Sequence, residues 1–205
     1  MKKTFIPILF FYALLTNACS PAATPIPTDA PTAIPTAVPT DIPTDAPTAA
    51  PSETAASFAL SSPAFANGQA IPQVYSCSGD SISPALVWSE PPAGTHSFAL
   101  VVDDPDAGGF THWVIYNIPP DARGLPENIE HGQELDDGVY QGLSGGAVFG
   151  YVGPCPPSGT HHYSFKLYAL DTTLEKSQGA GKPLLLDAIQ GHILAESELI
   201  GTYGP

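Results

Sequence analysis

The sequence predicts a mainly β domain, a β-sandwich or Greek-key fold with one or two short helices near its C-terminus, behind a disordered tail. Three observations predict it. Short strand-like runs recur along residues 58–170, clusters of Gly, Pro, Asn and Ser separate them, and nine of the 24 prolines crowd into residues 21–51. Many short strands divided by turn residues are typical of sandwiches. We therefore divide the chain into residues 1–18, 19–57 and 58–205.

Residues 1–18 are predicted to be an export signal. Lys2 and Lys3 precede a short apolar run, and small residues lead to Cys19. The run is too short for a stable transmembrane helix. The Ala18-Cys19 junction resembles a bacterial lipoprotein signal, in which Cys19 is lipidated and anchors the protein on the extracytoplasmic face of a membrane. The alternative is ordinary secretion with an incidental Cys19.

Residues 19–57 are predicted to be a disordered Pro/Thr-rich linker. The dipeptide Pro-Thr recurs every four residues from Pro27 to Pro47. Proline fixes φ and lacks an N–H, so neither helix nor sheet propagates through such a repeat. The apolar residues are too sparse to offset the entropy of ordering. An extended spacer of this length reaches on the order of 100 Å at ~3.1 Å per residue.

The remaining elements are short. Six segments are predicted strands: Phe58–Ser61, Ala70–Tyr75, Ala85–Trp88, Ser97–Val102, Trp113–Ile118 and Tyr163–Leu170. The last one alternates apolar or aromatic with small or polar residues, which is the period of a half-buried strand. Residues 183–190 are a predicted helix, with proline in the first turn and Gly191 after its end. Residues 124–150 are rich in Gly and acids and are predicted to be a long surface excursion.

The charge balance restricts the partners. Six Lys plus Arg against 20 Asp plus Glu give a net charge of −14. Nucleic acid is excluded as a partner because its recognition needs clustered basic residues. An anionic ligand therefore needs a local pocket that opposes the overall field. No close His-x-x-His or Cys-x-x-Cys spacing is present, so we expect neither a metal nor a cofactor.

Four residues are candidates for such a pocket. Asp104 and Asp106 follow a predicted strand, His112 opens the next one, and a Pro/Gly-rich loop delivers His161 onto a third. Histidine can donate from both nitrogens to an anion, and a neighbouring carboxylate favours its charged form. Plainer interpretations stay open: Asp106 as a turn cap, and either histidine as a structural residue.

The combined pattern resembles the phosphatidylethanolamine-binding protein family, most of all its bacterial Raf kinase inhibitor-like branch, over about residues 58–204. Three motifs carry the resemblance: Asp104-Pro105-Asp106-Ala107, His112-Trp113-Val114 and Gly159-Thr160-His161-His162-Tyr163. The resemblance implies an antiparallel β-sandwich with a small pocket for phosphate-like or carboxylate anions and phospholipid headgroups. By position it implies a ligand-binding set completed by wall residues: Asp104, Asp106, His112, His161, Tyr163, Trp113 and Pro154.

Two cysteines remain besides Cys19. Cys77 and Cys155 form an even pair in an exported domain, and both lie in Gly/Ser/Pro-rich loops, so a disulfide is predicted. The alternative is two free thiols.

Two classes of function fit these residues. The first is an extracytoplasmic binding or inhibitor module whose protein target, if it has one, the sequence does not identify. The second is a hydrolase that uses His and Asp on a phosphoester or peptide bond. No zinc-site signature is present, and we favour binding.

Overall fold

The computed structural model describes residues 57–205. The predicted signal at residues 1–18, the lipidation of Cys19 and the linker up to residue 56 therefore lie outside the described residues. Within residues 57–205, no helix is both long and apolar enough to cross a bilayer.

The described chain is built from nine strands, one helix and three 3-10 turns. The strands are β1 Leu60–Ser61, β2 Gln69–Ala70, β3 Leu86–Trp88, β4 Ser97–Asp104, β5 Phe110–Ile118, β6 Gly124–Leu125, β7 Tyr140–Gln141, β8 His161–Leu170 and β9 Ile193–Tyr203. The helix is α1, Lys182–Ala188, and the 3-10 turns are Gln73–Tyr75, Pro105–Ala107 and Asp136–Gly138.

The strands form two sheets with Greek-key topology. A six-stranded sheet has the order β2-β9-β8-β4-β5-β7, and a three-stranded sheet has the order β1-β3-β6. The strands β4, β5, β7 and β8 lie in the spatial order β8-β4-β5-β7, so the last returns beside the first. All pairs are antiparallel except β2 with β9, which is parallel. The mainly β sandwich is confirmed.

The core lies between the two sheets. Leu86 and Trp88 of the small sheet join Phe98, Leu100 and the inner face of β8 in one buried cluster. The other face of the large sheet is covered by α1, whose Leu185 is fully buried with Val101 and Tyr116. The central strand β4, whose residues are all buried, is therefore covered on both faces, whereas β9 and β2 are largely exposed.

Two strands differ from the predictions. The predicted strand Ala70–Tyr75 ends at Ala70 and turns into a 3-10 turn, because Pro72 has no N–H to continue the ladder. The predicted helix is followed by an unpredicted strand, β9, which is the longest element at 11 residues. Its Ala-Glu-Ser-Glu centre has low strand propensity, and pairing with β8 along its length overrides that preference.

Residues 124–150 were predicted as a surface excursion, and this is wrong in part. They contribute β6 and β7, one to each sheet. Gln141 in β7 is 0% exposed and accepts a hydrogen bond of 2.7 Å from Nε1 of Trp113. Its amide donates to the carbonyls of Glu130 and Gly132, both at 2.9 Å. One buried polar side chain thus holds the segment against the sheet.

Candidate functional site

Asp104 ends β4 and organises the turn that follows. Its side chain is buried, and Oδ1 accepts the backbone N–H of Ala107 at 2.9 Å, which caps the 3-10 turn. Gly108 ends that turn in the left-handed region at φ +66°, where glycine has no steric penalty. The N–H of Gly109 returns to the Asp104 carbonyl at 2.9 Å. The loop between β4 and β5 is therefore held by Asp104 itself.

A β-bulge directs the side chain of His112. Val102 of β4 lies opposite Trp113, but Asp103 lies opposite Thr111, so His112 is the extra residue between the two pairs. Strict alternation would place His112 and Trp113 on opposite faces. Because of the bulge, the His112 side chain lies on the same side of the strand as Trp113. Its ring is edge-on to that of Tyr163, with 5.1 Å between the two ring centroids.

His112 is buried and its hydrogen bonding fixes its tautomer. Nδ1 lies 2.6 Å from the carbonyl oxygen of Val152, which can only accept, so Nδ1 carries the proton. Burial lowers the pKa of His112 below its usual value, and the Val152 carbonyl and the Asp104 carboxylate oppose this shift without cancelling it. At neutral pH the uncharged form of the ring is therefore favoured. Nε2, which has no hydrogen-bond partner within the described part of the chain, is then an acceptor. The Asp104 carboxylate thus acts in the predicted direction, toward a charged ring, but burial has the larger effect on the pKa and works against the charge.

His161 forms the second half of the site. Its Nδ1 lies 2.7 Å from Oδ2 of Asp104, which orients the ring and leaves Nε2 without a partner among residues 57–205. Tyr163, two residues further along β8, is on the same face as His161 and packs behind His112. Burial, and next the charge of Asp104, raise the pKa of the Tyr163 phenol above its usual range, so it remains protonated.

Asp106 lies outside this arrangement. Its exposed carboxylate accepts the backbone N–H and the Nδ1–H of His162, both at 2.8 Å. These hydrogen bonds to His162 lower the pKa of Asp106 below its usual value. Asp106 is therefore neither a turn cap nor a wall of the pocket. It ties the turn after β4 to the start of β8.

Asp104, His112 and His161 open onto one small cavity of about 180 Å³. Its remaining walls are mostly apolar: Ala107, Phe110, Val152, Gly153, Cys155, Pro156 and Pro157. Pockets for drug-sized ligands are larger, about 300–1,000 Å³. Other hollows on the described surface, of about 220 and 530 Å³, include none of the predicted site residues.

Three more predicted residues do not line this cavity. Tyr163 and Trp113 are fully buried behind it, and Trp113 points its N–H at Gln141 rather than at a ligand. Pro154 uses its carbonyl to accept the N–H of Cys77 at 3.0 Å. The structure therefore brings together Asp104, His112 and His161 and leaves the other four as supports.

Sequence reasoning missed the apolar walls. Phe110 lies two residues before His112, so strand alternation placed both on one face, and their ring centroids are 5.0 Å apart. Pro156 and Pro157 stand in the same loop that delivers His161. Spacing could have indicated Phe110, but nothing in the sequence showed that Val152 meets His112.

The two cysteines of the domain meet beside the pocket. Cys77 and Cys155 are joined by a disulfide, with 5.4 Å between their Cα atoms. Cys155 is also part of the cavity wall. In the region from residue 57 to 205, no three His, Cys, Asp or Glu side chains are grouped so as to hold a metal ion.

A Greek-key sandwich with this pocket at the ends of its central strands defines a class of small ligand-binding domain, and comparison with known proteins identifies the family. The family model described as phosphatidylethanolamine-binding protein matches residues 61–204. The chain belongs to the phosphatidylethanolamine-binding protein family.

Similar sequences and solved structures support the same family assignment. A UPF0098 protein of Methanothermobacter thermautotrophicus is 50% identical over 146 residues, which cover 70% of this chain and 97% of the relative. The crystal structure of a phosphatidylethanolamine-binding protein homolog from Chlamydia trachomatis is 40% identical, with a TM-score of 0.67, over 73% of this chain and 98% of that one. E. coli YbcL, described as a new member of the mammalian family, is 31% identical with the same TM-score, over 73% and 99% of the two chains.

Proposed function

We propose that this protein binds small molecules through a phosphate or carboxylate group at the cavity of Asp104, His112 and His161. One observation carries the proposal. Two histidines line one cavity, each with Nδ1 tied to a protein oxygen and each with an Nε2 that has no partner in residues 57–205. Two such nitrogens suit a ligand group with several oxygens, while the mostly apolar walls lower the local dielectric constant and strengthen each polar contact.

The protonation state of His112 determines what the pocket accepts. A neutral His112 offers a lone pair at Nε2, which repels a fully ionised oxygen. Binding an anion therefore requires a proton, either on His112 or on the ligand as a P–OH or carboxylic acid O–H. At the second ring, Asp104 holds Nδ1 of His161, so Nε2 is the atom that faces the ligand. We propose that the complex holds more protons than its free components.

The expected result is an affinity that falls as pH rises. Because burial lowers the pKa of His112, its protonation on binding is favoured most below its usual pKa of 6.5. Acetate is the sharper probe, since most of its own titration lies below pH 5.5, whereas the second ionisation of a phosphate monoester lies between the two pH values. Its dissociation constant, about millimolar for so few atoms, should rise roughly tenfold between pH 5.5 and pH 8. Isothermal titration in two buffers of different ionisation enthalpy measures the proton uptake directly.

His112→Asn is the matched variant for this experiment. The Asn amide can still donate to the Val152 carbonyl but does not titrate, so part of the pH dependence should be lost with the fold retained. O-phosphoethanolamine serves as the phosphate probe. No binding of either probe at pH 5.5 would refute the pocket, and pH-independent binding would refute the proton-linked mechanism.

A hydrolase is the second candidate, and the Asp104–His161 hydrogen bond favours it, because a carboxylate that orients a histidine is a frequent acid/base arrangement. Hydrolysis of bis-p-nitrophenyl phosphate separates the two. If the protein is a binding module, wild type and His161→Ala release p-nitrophenol at the same background rate. Release that depends on His161 would favour the enzyme.

The location of the protein is a separate proposal, which rests on residues 1–19. We propose export followed by lipidation of Cys19, which would place the pocket outside the cytosol, at the end of the Pro/Thr-rich linker. Cys19→Ser is expected to move the protein from the membrane fraction to the soluble fraction, because the lipid attaches through that sulfur. Ser20→Ala is the control and should stay with the membrane. Unchanged membrane retention of Cys19→Ser would contradict the anchor.

A further inference from the structure

One side of the pocket is made by residues 151–157, which we call the wall segment. Val152, Gly153, Cys155, Pro156 and Pro157 all face the cavity. None of residues 151–157 belongs to a strand or a helix. The position of this side of the pocket must therefore come from contacts outside the regular hydrogen-bond ladders.

Those contacts are made with residues 75–81, which we call the support segment. The buried hydroxyl of Tyr151 donates to the Tyr75 carbonyl at 2.9 Å. The N–H of Cys77 donates to the Pro154 carbonyl at 3.0 Å. These two hydrogen bonds hold the beginning and the middle of the wall segment to the same neighbour.

Gly153 brings the two segments into direct backbone contact. Its N–H donates to Oγ of Ser81 at 2.9 Å. A Cβ at this position would lie 2.6 Å from the Tyr75 carbonyl oxygen, so the approach requires glycine. The first half of the wall segment is thus fitted closely to its support.

The second half of the wall segment is held covalently. Pro156 and Pro157 have no N–H with which to bind a neighbour. The disulfide from Cys155 to Cys77 joins this half to the support segment. Both cysteines are exposed, so the bond is accessible to a small reductant.

The wall segment also sets the chemistry of the pocket through His112. The N–H of Val152 donates to the His112 carbonyl at 2.9 Å, and Nδ1 of His112 donates to the Val152 carbonyl at 2.6 Å. The second bond fixes the tautomer that leaves Nε2 for the ligand. A wall segment that moves would release this ring.

We infer that the Cys77–Cys155 disulfide is a positioning element of the pocket: it holds the wall segment so that Val152 orients His112, and its reduction weakens ligand binding. The inference rests on the proposed function. A dithiol such as dithiothreitol would transfer two electrons and two protons to the bond. The products are two cysteine thiols and the cyclic disulfide of the reagent.

The expected effect on binding follows from preorganisation. With the bridge closed, the wall segment is in place before the ligand arrives. With the bridge open, part of the binding free energy is used to order the wall segment. The apparent affinity then falls in proportion to the fraction of molecules whose wall segment is already in the binding conformation. We expect an affinity for O-phosphoethanolamine about tenfold lower.

The experiment compares oxidised wild type, wild type in dithiothreitol, and Cys77→Ser, which opens the bridge but keeps the wall residue Cys155. Non-reducing peptide mass spectrometry first verifies the Cys77–Cys155 link, and alkylation of both Cys77 and Cys155 in the untreated protein would overturn the inference. Titration with O-phosphoethanolamine should then give equal, weaker binding for the reduced wild type and for Cys77→Ser. Dithiothreitol should have no effect on Cys77→Ser.

A second measurement needs no ligand. Two-dimensional ¹H–¹⁵N spectra of the histidine rings report which nitrogen carries the proton, and circular dichroism reports whether the domain stays folded. Opening the bridge should change the His112 signals and leave those of His192, which lies in the turn after α1, unchanged. Unchanged His112 signals with unchanged affinity would overturn the inference. If the oxidised protein does not bind O-phosphoethanolamine but its His112 signals still change when the disulfide is opened, the proposed function alone would be overturned.

Discussion

Replacing His161 with alanine should abolish measurable binding of acetate and O-phosphoethanolamine, a loss of at least about 30-fold at pH 5.5. The variant removes one of the two free Nε2 atoms. It also leaves the buried Asp104 carboxylate without its 2.7 Å partner on the wall of the cavity. An unpaired buried carboxylate repels an incoming anion and destabilises the fold, here by about 2 kcal/mol. Calorimetric titration and urea unfolding measure the two effects.

Two further variants separate loss of the ligand contact from loss of the fold. The double variant Asp104→Asn/His161→Ala has no unpaired carboxylate, so it should recover much of the stability and still fail to bind. His192→Ala is the matched control, since its Nδ1 forms a similar 2.8 Å pair with Asp171 on the exposed surface. That variant should bind normally and lose little stability. Normal acetate binding by His161→Ala would contradict the assignment of the site.

Replacing Gln141 with leucine should lower the free energy of unfolding by about 3 kcal/mol, the sum of several buried groups left without partners. Gln141 is fully buried and makes three hydrogen bonds, one from Trp113 and two to the carbonyls of Glu130 and Gly132. Leucine has a similar volume but can make none of them. Urea denaturation gives the free energy from the midpoint and the slope.

Gln69→Leu is the control for that measurement. Gln69 is an exposed strand residue of the same type, so the change should stay within about 0.5 kcal/mol. An equal effect of the two substitutions would mean that the Gln141 hydrogen bonds contribute nothing beyond burial. The segment 124–150 would then be held by apolar contacts alone.

The strands predicted from sequence were those whose composition already suits a strand. Ser97–Val102 and Tyr163–Leu170 are rich in β-branched, aromatic and alternating residues, and both are confirmed with longer bounds. Ile193–Tyr203 has two glutamates and a serine at its centre and was not predicted. Its conformation depends on β8, since it is non-local pairing that makes this segment a strand.

In the pocket, too, residue type predicted some features and non-local contacts decided the others. Asp104 and His161 were found because carboxylates and histidines at strand ends are recognisable by residue type alone. Asp106, Tyr163 and Trp113 share those motifs, but their side chains contact His162, His112 and Gln141 instead. Pro154 contacts Cys77 through its backbone carbonyl. Residue type predicted which side chains could take part, and it did not predict their directions.

By itself the sequence determined the β class of the domain and singled out the two histidines, because composition and local periodicity carry that information. Only the tertiary structure decided that His112 lies on the same side of the strand as Trp113 and that burial lowers its pKa. The bulge that turns His112 arises from the pairing of β4 with β5, and the lowered pKa arises from burial beside Phe110, Val152 and Tyr163. Both depend on residues up to about 50 positions away in the chain, whose contacts form only when the sheets have assembled.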